Sequence, residues 1–427
     1  MSEHSTDKLG RRDFLGAAAT AGLLILKPEL VRGTAANSDV RLGLLGCGGR
    51  GMADVTSLIS NGPARVVALA DMFDDQLQAA RKRLDKVAES KGRAGINASL
   101  MFRGPKAFQQ MAGCPEVDAI VVATPPYYHP EHFEAAVAGG KHVYLEKPVA
   151  VDVRGCQRVM RAGKKAEGRV SVDVGFQIRN APPFVEMVRR IHAGALGQIG
   201  CGQAYYYAGL IQRPDWANVS AVERRLRNWA YDRVLSGDIL VEQGIHVVDI
   251  CNWVLKAHPL KAIGAGGRNI RSDHGDNWDH YNVTYFYPNN VHVSFTSAQF
   301  IKGWFDVCER FFGSKGTSES HYEGGVKILG DEPWDAFPNP AASQGAGFSA
   351  TGTFTGALKD ADPEKHKAFI ASITGDQLHS QAEQGAESAL SAILGRTAAE
   401  TGREVSWDAL LGSDAAVDAK LDLNKLS

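Results

Sequence analysis

The stretch Val40-Arg41-Leu42-Gly43-Leu44-Leu45-Gly46-Cys47-Gly48-Gly49-Arg50-Gly51 passes from an apolar strand through a glycine turn, and Met52 to Ser60 then carries the spacing of a helix. Glycines there let the backbone approach a pyrophosphate, whose charge meets the unpaired N–H groups and the positive end of the helix dipole. The glycines alone are weak evidence, and the strand before and helix after them give the motif its weight. Asp71 stands twenty residues beyond Gly51, at the end of the next apolar run, Ala64 to Ala70. An acidic side chain at that place accepts hydrogen bonds from ribose hydroxyls and repels a 2′-phosphate, which favours NAD over NADP. The predicted dinucleotide contacts are Gly46, Gly48, Gly49, Gly51 and Asp71. Arg50 reads equally as a phosphate contact and as a solvated arginine.

The alternation continues outward from this loop. Asp74 to Ser90 reads as a charged surface helix, Val117 to Ala123, His142 to Leu145 and Arg169 to Gly175 as strands, and Pro130 to Ala138 as an intervening helix. Short apolar runs between helical stretches indicate βαβ units and a parallel sheet. After about Gln177 the pattern changes. Tyr281, Val283, Tyr285 and Tyr287, the turn Pro288-Asn289-Asn290, then Val291, Val293 and Phe295 spell an antiparallel hairpin. Tyr205-Tyr206-Tyr207 alternates across a strand, and Asp331 to Lys359 has the Gly, Pro, Ala and Ser content of a surface excursion. The predicted fold is therefore α/β, with a Rossmann dinucleotide-binding domain over 37–177 and, over 178–427, an α/β domain on an open, mainly antiparallel sheet.

Composition narrows the partner. The 427 residues are 44% hydrophobic and 22% charged, which gives a globular chain able to bury substantial cores and excludes disorder. Lys and Arg number 47 against 48 Asp and Glu, so no overall field draws nucleic acid or an anionic membrane, and a small molecule is expected. Cys47, Cys114, Cys156, Cys201, Cys251 and Cys308 contain no C-x-x-C pair and read as buried thiols rather than zinc ligands or disulfides. Residues 1–36 differ in kind: Arg11-Arg12-Asp13-Phe14-Leu15 precedes apolar Ala17 to Leu26, and Thr34-Ala35-Ala36 offers small residues for cleavage. This resembles a twin-arginine signal, with an apolar stretch too short to span a bilayer, and implies export of the folded protein to the periplasm. An amphipathic N-terminal helix is the other reading, under which the protein stays cytoplasmic. No later segment reaches membrane-spanning length.

At Ala123-Thr124-Pro125-Pro126, His129 and above all Glu146-Lys147-Pro148, the chain resembles the Gfo/Idh/MocA family, named for glucose-fructose oxidoreductase, inositol dehydrogenase and a rhizopine-catabolism protein. The likeness runs from about Val40 to Trp407 and includes Gly175-Phe176-Gln177 and the late Phe369, Ile373 and Gly375. It implies an NAD-binding Rossmann domain followed by a domain whose open sheet carries the substrate cavity and pairs copies into a homodimer or homotetramer. Thr124, Pro125, His129, Glu146, Lys147 and Gln177 would then border the cofactor, with Lys147 as the active-site lysine. Without the resemblance, Glu-Lys-Pro is a strand ending before a turn.

Ser236 to Asp249 is similar to the family's G-G-x-x-x-D-x-G-x-H-x-x-D segment. Glu242, His246, Asp249 and Trp253 fall at i, i+4, i+7 and i+11, which predicts one face of a helix. The apolar residues around them predict burial, so the carboxylates and imidazole need partners. By analogy His246 takes the substrate hydroxyl proton or assists Lys147, and Glu242, where many members carry Asp, binds neighbouring hydroxyls. Asp249 also reads as a capping or pairing residue within the fold. Arg227, Trp229 and His280 are candidate substrate contacts, although Trp229 reads nearly as well as a core aromatic. His274, Asp276, Asp279 and His280 lack a second consistent ligand spacing, so no metal is expected. The expected activity is oxidation of a secondary alcohol of a sugar, cyclitol or related polyol by tightly bound NAD. The alternative is an NAD-dependent glycoside hydrolase working by transient oxidation and elimination.

Overall fold

The computed structural model describes residues 39–426 apart from 212, 213, 215, 217, 273, 274, 339–355 and 376. The arginine pair at Arg11 and Arg12, His274 and much of the expected 331–359 excursion lie outside the described residues.

The first half alternates as the apolar runs predict. Strands β1 (Val40–Leu45), β2 (Ala64–Asp71), β3 (Met101–Arg103), β4 (Ala119–Val122), β5 (His142–Leu145) and β6 (Val172–Val174) form one parallel sheet in the order β3-β2-β1-β4-β5-β6. Helices α1 (Gly49–Asn61), α2 (Asp74–Ser90), α3 (Ala107–Ala112), α4 (His129–Ala138) and α5 (Val153–Ala166) connect them. All four residues of β4 are buried, as expected when helices cover both faces of a parallel sheet. The strand order reverses between β1 and β4, and the crevice beyond their carboxyl ends is where such sheets bind ligands.

After α6 (Pro182–His192) the chain builds a nine-stranded sheet. Its strands are β7 (Ile199–Ala208), β8 (Lys261–Gly267), β9 (His280–Tyr287), β10 (Val291–Gln299), β11 (Asp306–Gly313), β12 (Gly316–His321), β13 (Val326–Gly330), β14 (Trp334–Asp335) and β15 (Val405–Ser406), in the order β14-β13-β12-β11-β7-β10-β9-β8-β15. Among the described residues of this sheet only β7 and β10 pair in parallel. The predicted hairpin joins β9 to β10 through Pro288–Asn290, where Asn289 and Asn290 both have positive φ, a conformation asparagine tolerates. Tyr206 faces inward against Tyr322, while Tyr205 and Tyr207 stack 5.0 Å apart on the opposite face. Five cysteines are buried as expected, but Cys201 is exposed on β7.

Helices α7 (Ala221–Arg227), α8 (Arg233–Ser236) and α9 (Ile245–Leu255) lie between β7 and β8. Helix α10 (Ala361–Thr374) returns to the first half, where Phe369 and Ile370 share a core with Leu42, Leu44, Val55, Leu58 and Tyr144. Then α11 (Ala382–Thr401) packs against both α5 and β8, and α12 (Trp407–Gly412) follows β15. Among the described residues no helix is long and apolar enough to cross a membrane.

Candidate active site

The glycine loop is shaped by close approaches that admit no side chain. Gly46 has φ +96°, and a Cβ there would stand 2.6 Å from the backbone of Ala123. A Cβ on Gly51 would stand 2.3 Å from the Gly46 carbonyl. At Gly48, by contrast, a Cβ would meet no protein atom within 4 Å, so the demand for glycine there comes from space a ligand would fill. Gly48 caps α1 without a side-chain hydrogen bond, and the first turn has no acidic residue, which leaves the helix terminus available to an anion. A cleft of about 330 Å³ opens over this loop, lined also by Asp71, Phe73, Thr124, Pro125 and Trp229. The Asp71 carboxylate accepts the Cys47 N–H at 2.7 Å and the Phe73 N–H at 2.9 Å, which fixes it at the end of β2 with lone pairs to spare. These residues suit a dinucleotide.

Lys147 follows β5, one strand across from the Ala123–Pro125 turn, and precedes Pro148 through a cis peptide bond. His129 ties the two turns together, with its ring nitrogens 2.7 Å from the Thr124 and Pro148 carbonyls. Burial pushes its imidazole down to about 4 against the pull of those carbonyls. The neutral ring donates to one carbonyl at a time. His129 is thus placed behind the loop as a strut. Thr124 Oγ1 meets His132 Nδ1 at 2.9 Å.

The Lys147 ammonium donates to the Glu242 carbonyl at 2.7 Å and to Glu242 Oε1 at 3.2 Å. Glu242 lies in Leu240–Gly244, a π-helical turn, a widening that recurs at functional sites. This turn breaks the straight helical stripe that the spacing predicts. His246, buried, lies edge-on to Phe176 and Tyr322 with Nδ1 lacking a hydrogen-bond partner. Asp249 points elsewhere, into a bidentate pair with Arg179 and hydrogen bonds from Gln384 and Ser388. Burial first, then the charges of Lys147 and Arg50, holds the His246 imidazole well below its ordinary range. A neutral imidazole that feels the charge of a fixed ammonium can accept a proton while the ammonium stabilises an oxyanion. Gln177 is buried nearby in sequence from Phe176, with Oε1 unpartnered.

Neither sequence reading of Arg50 describes its surroundings. Its guanidinium turns inward, bonding Glu146 Oε1 at 2.9 Å and both Asp362 oxygens at 3.0 and 3.1 Å, and pairing with Asp54 at 2.9 Å. Burial works against its charge and the three carboxylates outweigh that. Burial in turn raises Asp54 and Glu146 to about 7 each, with Arg50 opposing. Asp54, Asp362 and His366 have ligand atoms within 4.8 Å of one another, and Arg50 already supplies a cation to both carboxylates. No sequence signal pointed to Asp362, because its partner is 312 residues away.

Arg227 and Trp229 line the glycine-loop cleft rather than meeting Lys147. Arg227 lies between Phe73 and Trp216, 3.8 and 4.4 Å from the ring centres, and is paired to Asp75 and Glu223. His280 bonds Asp279 at 2.7 Å, and Asp279 also gathers the N–H groups of Asn269, Ile270 and Arg271. His280 thus belongs to a loop-organising network. A larger hollow of about 480 Å³, bordered by Arg179, His192, Lys256 and Glu387, shares no predicted site residue. The glycine loop and Asp71 assign the site to the smaller cleft.

Residues 40–174 match the model of an oxidoreductase family with an NAD-binding Rossmann fold, and residues 184–319 match the Gfo/Idh/MocA C-terminal domain. The chain belongs to the Gfo/Idh/MocA family. Among relatives, it is similar to an inositol 2-dehydrogenase of Acidothermus cellulolyticus, 29% identical over 56% of this chain and 60% of that one. It is also similar to a glycosyl hydrolase family 109 protein of Solibacter usitatus, 28% identical over 47% and 46% of the two chains. The chain thus spans about half to three-fifths of the length of these relatives. The aldose-aldose oxidoreductase of Caulobacter crescentus, in complex with glycerol, shares the fold with TM-score 0.64 at 21% identity, over 86% of this chain and 99% of that one. A levoglucosan dehydrogenase in complex with NADH and levoglucosan has TM-score 0.65 at 17% identity, with coverage of 86% and 99%.

Proposed function

We propose that this Gfo/Idh/MocA protein oxidises a secondary alcohol of a sugar, cyclitol or related polyol, using NAD held in the glycine-loop cleft. The observation that carries this reading is the half-buried Lys147 ammonium, fixed by the Glu242 carbonyl and carboxylate, whose charge reaches a buried neutral His246. When bound, the nicotinamide supplies the hydride acceptor. The protein's part is to manage the other products of the C–H and O–H cleavage. Lys147 orients the hydroxyl oxygen and stabilises its developing charge, His246 accepts the hydroxyl proton, and the C=O bond forms as the hydride leaves. Glu242 accepts hydrogen bonds from neighbouring hydroxyls.

The similarity to the Solibacter usitatus protein supports a second reading, in which oxidation is transient and ends in loss of an aglycone. Purified protein screened against polyols and aryl glycosides, read by nicotinamide absorbance and product release together, decides between them. Stoichiometric reduction by a polyol supports the first. Aglycone release with no net NADH supports the second.

We also propose that residues 1–36 direct twin-arginine export of the folded protein. Retaining NAD outside the cytoplasm then calls for a nanomolar dissociation constant or better, about −12 kcal/mol. Changing Arg11→Lys and Arg12→Lys together should trap the precursor in the cytoplasm, and unchanged export would remove the proposal. Assembly into dimers or tetramers through the open sheet face is proposed as well. Trp304 and Phe312, 56% and 40% exposed, give apolar surface for it, and sedimentation is the check.

A further inference from the structure

The segment after α12 leaves the second sheet and returns to the glycine-loop cleft. Asp414 pairs with Arg154 at 2.8 Å, the Val417 N–H donates to Asp152 Oδ2 at 2.8 Å, and the Ala419 N–H donates to the Tyr127 hydroxyl at 3.3 Å. Arg225, itself paired with Asp232, donates to the Ala419 carbonyl. Beyond these anchors Ala419, Leu421, Leu423 and Leu426 join Met72, Phe73, Tyr128, Leu226 and Trp229 in an apolar cluster separate from the two main cores. Leu423 lines the same cleft as Gly46, Gly48 and Asp71. Met72 and Phe73 directly follow the ribose-binding candidate Asp71, so this cluster lies at the adenosine end. Arg227, fixed between Phe73 and Trp216 by Asp75 and Glu223, lines that cleft too.

We propose that Ser413–Leu426 is a strap forming one wall of the dinucleotide cleft, and that it sets how long the cofactor stays. The proposal rests on the reading that the cleft holds NAD. The glycine loop and Asp71 recognise the dinucleotide from the Rossmann half. Leu423 and Arg227 approach from segments outside that half, so recognition and retention reside in different parts of the chain. A ligand leaving the adenosine end has to wait for the strap's apolar side chains to undock, a local opening independent of global unfolding. Its effect therefore falls on dissociation more than on association.

The test compares the full chain with one stopped after Gly412 and with full-length Leu423→Asp. Circular dichroism checks the fold, and NADH release is followed by loss of nicotinamide fluorescence during a chase with excess NAD. Release at least about tenfold faster in both variants, with association nearly unchanged, is the expected result. Should the shortened chain fail to fold, Leu423→Asp decides alone. Release within about twofold of the full chain in the folded variants would overturn the strap while leaving the cleft assignment intact. Failure of the full chain to bind NADH at all would overturn the cleft reading and the strap with it.

Discussion

An ammonium that is only 13% exposed and bonded twice to one residue is poised rather than solvated. Lys147→Ala should therefore lower kcat by about 10²- to 10⁴-fold, the usual worth of a positioned proton-transfer group, while leaving NADH affinity within a few-fold. Full turnover by this variant would sink the assigned chemistry. His246 gives a test through pH. An unperturbed histidine titrates near about 6.5, but burial and Lys147 hold this one well below that, so kcat/KM should stay level as pH falls through 6.5. The unfolded chain binds this proton below about 6.5 and the folded chain does not, so His246's contribution to stability is lost as pH falls beneath that value. An acid limb near 6.5 that vanishes in His246→Gln would contradict the argument. The proximity of Lys147 and Glu242 was legible through the family resemblance of the two short motifs that carry them. The setting of Arg50 was not, since its partners Glu146 and Asp362 are distant in sequence and leave no local pattern.

The glycine loop separates folding from binding, because its glycines are required for different reasons. Gly46→Ala and Gly51→Ala would drive a methyl into backbone atoms, and both should lower Tm. Gly48→Ala meets no protein atom, so Tm should hold while NADH affinity falls by about tenfold or more, measured by fluorescence titration. Equal affinity in Gly48→Ala would mean that the dinucleotide does not pass over this position. Five of the six parallel strands, the glycine turn and the β9–β10 hairpin were legible because apolar period and turn chemistry act locally, whereas the short β3 and the strands β8 and β11 to β15 were not. The π-helical turn at Leu240–Gly244 was not. Periodicity assumes a regular helix, and the sequence through this turn keeps a helical pattern while the backbone gains a residue.

Across the whole molecule, α10 and the Arg50 cluster join distant parts of the chain. Arg50→Met leaves Asp54, Glu146 and Asp362 in the interior without their cation, and should cost about 3–5 kcal/mol in unfolding free energy by denaturant titration. The same cluster gives a pH signature. Asp54 and Glu146 titrate near 7 when folded against 3.8 and 4.5 ordinarily, so the folded state binds more protons between those limits. Their contribution is therefore most favourable at the acid end and declines as pH rises toward 7. Asp54→Asn should flatten the fall in Tm between pH 5 and 8, and an unaltered slope would exclude Asp54 as its source. Fold class was legible at this scale because each half repeats one local pattern. The return of α10 was not, because Phe369 and Ile370 read as an ordinary helix face with no mark of which core receives them. Their destination also bears on biosynthesis. The apolar faces of β1 and α1 emerge from the ribosome long before Phe369 and Ile370 are translated, so the nascent dinucleotide-binding half has an unfinished core and needs shielding from aggregation. Cofactor loading then has to wait until α10 has been translated.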